Sequence, residues 1–205
     1  MKRTFLVCSA LISTLIFTSC QSGKVVYKDP ASNDGLIVER DRLNHQDFNA
    51  LAEKMTRSLV GHSALDSKGT EKPVVMLGRI RNETSEHIQT DLIMNKVKIV
   101  LTNSNRARIT SAVDASGVKD GTKTVRTLRK DDEFNQKTIS GKGELLAPNY
   151  RLQGKIIQTG ARAGKTQQTN FTFQLELVND KTGIAEWIEE ETIIKMGKSR
   201  ASVGY

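Results

Sequence analysis

The sequence predicts a single mixed α/β domain of the α+β kind, a mixed sheet flanked by helices and ending in a C-terminal antiparallel hairpin. Three observations carry this. Apolar residues recur at helical spacing from Phe48 to Leu59 and from Ile88 to Leu101. A compact apolar run of strand length, Val74 to Ile80, lies between them, and apolar and polar residues alternate strictly from Thr169 to Val178. Of the 205 residues, about 160 remain for the fold once a leader and a linker are set aside, which is enough for one core.

The leader comes first. Lys2 and Arg3 precede an uncharged run from Thr4 to Phe17, shorter than the roughly 20 residues that cross a bilayer, and Thr18-Ser19-Cys20 follows. Residues 1–19 read as a signal peptide removed before Cys20, which becomes a lipidated N-terminus; Phe17 stands where such signals usually carry Leu. Several acyl chains, at about 0.8 kcal/mol per buried methylene, make such an anchor permanent. Gln21 rather than Asp follows the cysteine, which in Gram-negative bacteria points to the periplasmic face of the outer membrane. Cys8 departs with the leader and Cys20 is acylated, so the mature domain is expected to hold no thiol for a disulfide, a metal or a nucleophile.

Residues 20–43 read as the lipidated N-terminus and a short tether, polar and mixed in charge, with Pro30 and Gly35 and two small apolar patches. Such a segment spans at most about 80 Å stretched and about 25 to 30 Å as a coil. The globular domain is expected over 44–197 and a frayed tail beyond. Asn44 and Asp47 have the spacing of a cap and its partner, and Phe48, Leu51, Ala52, Met55 and Leu59 form the buried stripe of a helix that stops near Gly61. Lys72-Pro73 introduces the Val74–Ile80 strand, whose near-continuous apolarity suggests a central position.

Thr90 is a candidate cap for a second helix with Ile88, Leu92, Ile93, Val97, Val100 and Leu101 on its apolar face, halted by Asn103-Ser104-Asn105 before a short strand over 106–111. Asp114 to Lys123 reads as a loop, and Thr124 to about Asn135 as a weak third helix with Val125, Leu128, Arg129 and Phe134. Leu145-Leu146-Ala147-Pro148 reads as a buried turn before a strand over 150–157 with Tyr150, Leu152 and Ile156 on one face. A glycine-bearing loop then joins it to the alternating strand 169–178. Asn179 to Gly183 is a hairpin turn, and 184–194 returns with Trp187 as the core anchor of the hairpin.

The formal charge of +8 becomes +6 when Lys2 and Arg3 are removed, favouring approach to anionic cell wall or lipid head groups without specificity. Nucleic acid is not an expected partner: the basic run Lys119 to Lys130 has no interleaved aromatics and is followed by Asp131-Asp132-Glu133, as a solvated loop and helix face would be. Catalytic, metal and cofactor sites are all expected to be absent. His45, His62 and His87 have no metal-ligand spacing, and no Gly-x-Ser-x-Gly elbow is present. Glu186, Glu189, Glu190 and Glu191 lie on one strand, where neighbours face opposite ways, and read as charge blunting an exposed edge. Gly160 to Thr166 imitates a phosphate loop, but with three residues between glycines instead of four and strands on both sides; it reads as a hairpin loop with Arg162 and Lys165 solvated.

Several segments together resemble the LpoB family, outer-membrane lipoproteins that activate class A penicillin-binding proteins. They are Phe48 to Met55, Pro73 to Thr84, Asp132 to Gln136, Leu152 to Gln158, Lys165 to Gln168, Phe173 to Leu177 and Lys181 to Trp187. The resemblance implies a fold similar to the N-terminal domain of TolB and a non-enzymatic, monomeric effector. It would dock on a class A penicillin-binding protein and stimulate glycan polymerisation and cross-linking; no catalytic residue carries over. The best-known members have a long proline-rich tether, whereas this one has one proline. Two other readings stand beside it. One is an assembly lipoprotein related to CsgG or to flagellar outer-membrane lipoproteins, although no spare strand pair of about 9 to 11 residues is visible for a pore. The other is a cell-wall hydrolase.

Overall fold

The computed structural model describes residues 42–66, 71–114 and 117–198. Helix α1 spans His45–Gly61. At its start the Asn44 side chain accepts from the Asp47 backbone N–H at 3.0 Å while Asp47 accepts from that of Asn44 at 2.7 Å, so the expected pair is a reciprocal capping box. Leu51, Ala52, Met55 and Leu59 are buried as the stripe requires, and buried Thr56 turns its hydroxyl back to the Ala52 carbonyl at 2.5 Å.

Strand β1, Val74–Glu83, leads to helix α2, Thr90–Ser104, and on to β2, Arg108–Ile109. Thr90 is not the cap: Gln89 occupies that position with no side-chain bond to the helix, and Thr90 is the first helical residue. Asn105 ends α2 in the left-handed region at φ 58°, a conformation Asn tolerates better than most residues. The buried stripe is Ile93, Met94, Val97 and Leu101, one step round from the expected face. Leu92 is exposed and Val100 half-buried.

The chain then makes a long excursion. Two-residue strands β3, Val113–Asp114, and β4, Gly117–Val118, pair with each other, and helix α3 spans Asp120–Thr127 with a 3₁₀ turn to Lys130. The third helix thus begins inside the expected loop and stops short of Asn135. Val125, Phe134, Leu145 and Leu146 are exposed, so neither the apolar face of that helix nor the turn before residue 150 is buried. The main sheet lies elsewhere and leaves them nothing to pack on.

Strands β5 (Tyr150–Ala163), β6 (Thr166–Asn179) and β7 (Ala185–Lys198) complete a five-stranded sheet in the order β2-β1-β5-β6-β7. Strand β1 runs parallel to β2 and β5, and β5, β6 and β7 are antiparallel. The sheet is therefore mixed. Strand β1 is interior, but only Val74, Val75 and Ile80 of it are buried, because helices cover one face alone. Residues 160–163 belong to β5 rather than to a loop; only Gly164 and Lys165 form the turn, with Gly164 at φ 59° where a two-residue hairpin calls for glycine. Gly183, at φ 71°, serves the second turn, in which the Asn179 side chain accepts from the Lys181 N–H at 3.0 Å.

Tyr150, Leu152 and Ile156 share the covered face with Phe171, Phe173, Leu175, Leu177 and Trp187, and meet the stripes of α1 and α2 in a single core. Leu152, Leu177 and Trp187 lie in one cross-strand row. Burying side chains of this size contributes about 1.5–3 kcal/mol each. Trp187 is the anchor its sequence position suggests, buried and with its indole N–H donating to Ser58 Oγ at 3.3 Å.

Candidate interaction surfaces

The residues singled out for chemistry lie apart. His45 is exposed at the start of α1, His62 caps the end of that helix and accepts from the Ala64 N–H at 3.1 Å, and His87 is exposed before α2. The β7 carboxylates point to both faces, as their alternation requires. On the helical side Glu189 accepts from Ser58 Oγ at 2.9 Å and Glu191 pairs with Lys54 at 2.6 Å. Glu186 accepts from Tyr150 Oη at 3.0 Å and Asn179 Nδ2 at 2.7 Å. Glu190 is exposed. Three of the four therefore bond within the domain and are not general blunting charge. Burial, and then the Glu186 carboxylate, raise the Tyr150 phenol above its ordinary value of 10.0.

Several cations expected to be solvated have structural partners. Arg126 and Arg129 donate to the Gly141 carbonyl at 3.0 and 2.6 Å, and Arg129 also to that of Ser140 at 2.7 Å. Gln136 donates to the carbonyls of Leu128, Asp131 and Phe134. These bonds hold the excursion as an Ω-like unit with its apolar residues facing out. In the β5–β6 hairpin Arg162 donates to the Gly164 carbonyl at 3.2 Å and Lys165 is exposed.

Lys195 carried no signal in the sequence, yet it is buried on edge strand β7. Its ammonium bonds Asp47 at 2.5 Å and the Arg42 carbonyl at 2.6 Å. It ties the first described residue to both the cap of α1 and the sheet, and Leu43 packs against the core beside it. Residue 42 is thereby fixed to the domain. An alternating polar strand with one buried Lys looks like any edge strand, so only the packing of α1 reveals the clamp.

Among the described residues, three surfaces are open. The sheet face away from the helices holds a trough of about 960 Å³ lined by Arg79, Arg81, Arg151, Lys155, Asp114 and Glu176. The excursion presents Val118, Val125, Phe134, Leu145 and Leu146. Edge strand β7 presents Ile188, Ile194 and Met196. Among the described residues, no group of three or more His, Cys, Asp or Glu is placed to hold a metal, and no helix is long and apolar enough to cross a membrane. Cys20 and the leader lie outside the described residues.

A family model described as the peptidoglycan-synthase activator LpoB matches residues 47–193, from the capping Asp47 of α1 into β7. The chain belongs to the LpoB family. Among solved structures it is similar to the LpoB C-terminal domain from Escherichia coli, with 13% identity, 72% of this chain and 98% of that one covered, and a TM-score of 0.43. It is also similar to the NMR structure of E. coli LpoB, with 13% identity, 96% of each chain and a TM-score of 0.38. Lipoprotein GNA1162 from Neisseria meningitidis follows with 11% identity, 63% of this chain and 88% of that one, and a TM-score of 0.37. No curated protein matches.

The segments that resemble the LpoB family become framework. Phe48 to Met55 is the core face of α1, Pro73 to Thr84 contains β1, Leu152 to Gln158 lies in β5, Phe173 to Leu177 in β6, and Lys181 to Trp187 makes the last turn and the start of β7. Asp132 to Gln136 lies in the excursion, where Gln136 does the tying. Core and turn residues dominate these segments, while Arg79, Arg81, Phe134, Lys155 and Glu176 within them face the open surfaces.

Proposed function

We propose that this chain is an outer-membrane lipoprotein, anchored through acylated Cys20 on the periplasmic face, that binds a class A penicillin-binding protein and stimulates peptidoglycan synthesis. Membership of a family of peptidoglycan-synthase activators over residues 47–193 is the observation that carries the reading. In this reading residues 1–19 are the removed leader and the segment from Cys20 is the tether, rooted where Lys195 holds the Arg42 carbonyl. The protein does no chemistry. It acts by binding the active state of the synthase more tightly than the resting one, and its differential affinity sets the largest stimulation it can give.

The test uses the mature, tagged chain as bait against solubilised membranes, followed by a glycan polymerisation assay with the retained synthase. Retention of a class A penicillin-binding protein and a saturable rise in its polymerisation rate are expected. A Cys20→Ala variant should leave the outer-membrane fraction and, once purified, stimulate as well as the parent. Absence of any stimulation, or release of soluble fragments from peptidoglycan by the chain alone, would overturn the reading.

A further inference from the structure

We propose that the trough on the uncovered face of the sheet is a binding site for a small soluble polyanion, one carrying two or more linked phosphoryl groups. Strand pairing gathers cations there. Arg81 of β1 stands directly opposite Lys155 of β5, and Met76 opposite Arg151, while the register passes from Leu77–Leu152 to Ile80–Gly154. Gly78 and Arg79 therefore share Gln153 as their one opposite residue. Such a bulge re-aims the side chains beside it. Arg79 lines both the trough of about 960 Å³ and a second hollow of about 380 Å³ against α2, which also holds Lys98 and Lys119. Gly78 keeps the floor bare, since an added Cβ would press on Gln153 Cβ at 3.1 Å and on the Leu152 carbonyl at 3.0 Å.

The domain does not neutralise this charge itself. Like charges directly opposite one another destabilise a strand pair, yet from Lys155 the row continues to Gln174 and reaches a carboxylate, Glu190, only two strands away. The two carboxylates that line the trough are engaged: Asp114 pairs with Lys119 at 3.2 Å, and Glu176 accepts from Gln153 Nε2 at 2.7 Å. Among the described residues the charged ends of Arg79 and Lys155 have no hydrogen-bond or ion-pair partner. Arg81 reaches only the exposed Glu83 at 3.7 Å, and Arg151, though bonded to Asp180 at 2.8 Å, leaves its Nε buried without an acceptor. Arg79, Arg81, Arg151 and Lys155 against Asp114 and Glu176 leave an excess of two positive charges, which a single carboxylate does not balance. Arg81 and Lys155 also stand one strand spacing apart, about 4.8 Å. Balancing both calls for compact multiple charge, as linked phosphoryl groups supply, and guanidinium forks match phosphoryl oxygens. The volume is that of a small-ligand site. No aromatic residue lines it for a base or sugar to stack on, and none of its lining residues is an exposed large apolar side chain that would enter a bilayer. The inference does not depend on which enzyme the chain activates.

Isothermal titration calorimetry of the full-length chain in a non-ionic detergent, with inorganic pyrophosphate as the probe at constant ionic strength, tests the site. One saturable site per chain is expected, with orthophosphate and citrate each at least tenfold weaker. Arg79→Gln and Lys155→Gln should each weaken pyrophosphate at least fivefold with an unchanged circular dichroism spectrum. Lys165→Gln removes the same charge from the exposed tip of the β5–β6 hairpin, roughly 30 Å along the strand from Lys155, and should change it less than twofold. Equal losses from all three variants would mean that net charge alone is read, and would overturn the site. Citrate or orthophosphate binding as tightly as pyrophosphate would overturn the ligand class. Absence of saturable heat would overturn the proposal as well. So would phosphatidylglycerol vesicles that retain the parent more strongly than Arg79→Gln while pyrophosphate gives no heat, since the phosphoryl group would then belong to a lipid headgroup.

Discussion

Gly154 sits in the middle of β5, where an added Cβ would lie 2.7 Å from Leu175 Cδ2 and closer still to the Gln174 carbonyl. Both neighbours belong to β6, and although the Leu175 side chain can turn aside, the backbone carbonyl cannot retreat without opening the hairpin. Gly154→Ala should therefore destabilise the protein by about 1–3 kcal/mol in a urea titration, although alanine favours most folded contexts. Tyr150 gives a pH-dependent counterpart. Its raised folded value means the native state holds the phenolic proton more tightly than the unfolded chain does. The associated stability is fully present below the unfolded value of 10.0 and is lost as pH rises from there through the folded value. Above pH ~10 the parent should lose stability more steeply than Tyr150→Phe. Difference absorbance of parent against variant should place the phenolate transition above that of free tyrosine; a transition at the free value would contradict the Glu186 contact. Neither effect is legible in sequence, because the partners of Gly154 and Tyr150 are twenty or more residues away along the chain.

The helices show which local signals are sufficient. Asn44 and Asp47 form the capping box their spacing announces, because a cap needs only its own first turn. Thr90 has the right side chain for a cap, yet the helix starts at Thr90 itself, with Gln89 before it and Ile88 turned to the core. Asn44→Ala should cost about 1 kcal/mol, and Thr90→Ala less than about 0.5 kcal/mol, in thermal unfolding. The strands follow the same division. Strict alternation identified β6, including the buried set Phe171, Phe173, Leu175 and Leu177. Residues 158–163 and 195–198 gave no such pattern, and they are strand because β6 is present to pair with them.

The whole domain is lopsided, with two helices on one face of the sheet and a long, self-tied excursion that adds nothing to the core. Its apolar residues are not framework. Phe134→Ser should change stability by less than about 0.5 kcal/mol, whereas Phe171→Ala, from a residue with no exposure, should cost about 3–5 kcal/mol in the same denaturant series. Equal losses would mean that the excursion belongs to the core after all.

Composition, periodicity and short-range spacing were enough to specify a mixed α/β fold, the first helix and its cap, the closing hairpins and the buried tryptophan. Each depends on interactions within a few residues or on a repeat that one buried face imposes. The same reading supplied the family likeness, since packing and turning residues dominate its motifs. Long-range assembly settled the rest: how far β5 and β7 extend, that Leu145 and Leu146 face water, and that Lys195 is buried against Asp47. A side chain's fate depends on what the distant chain places over it, and one covered sheet face leaves identical residues buried on one side and wet on the other.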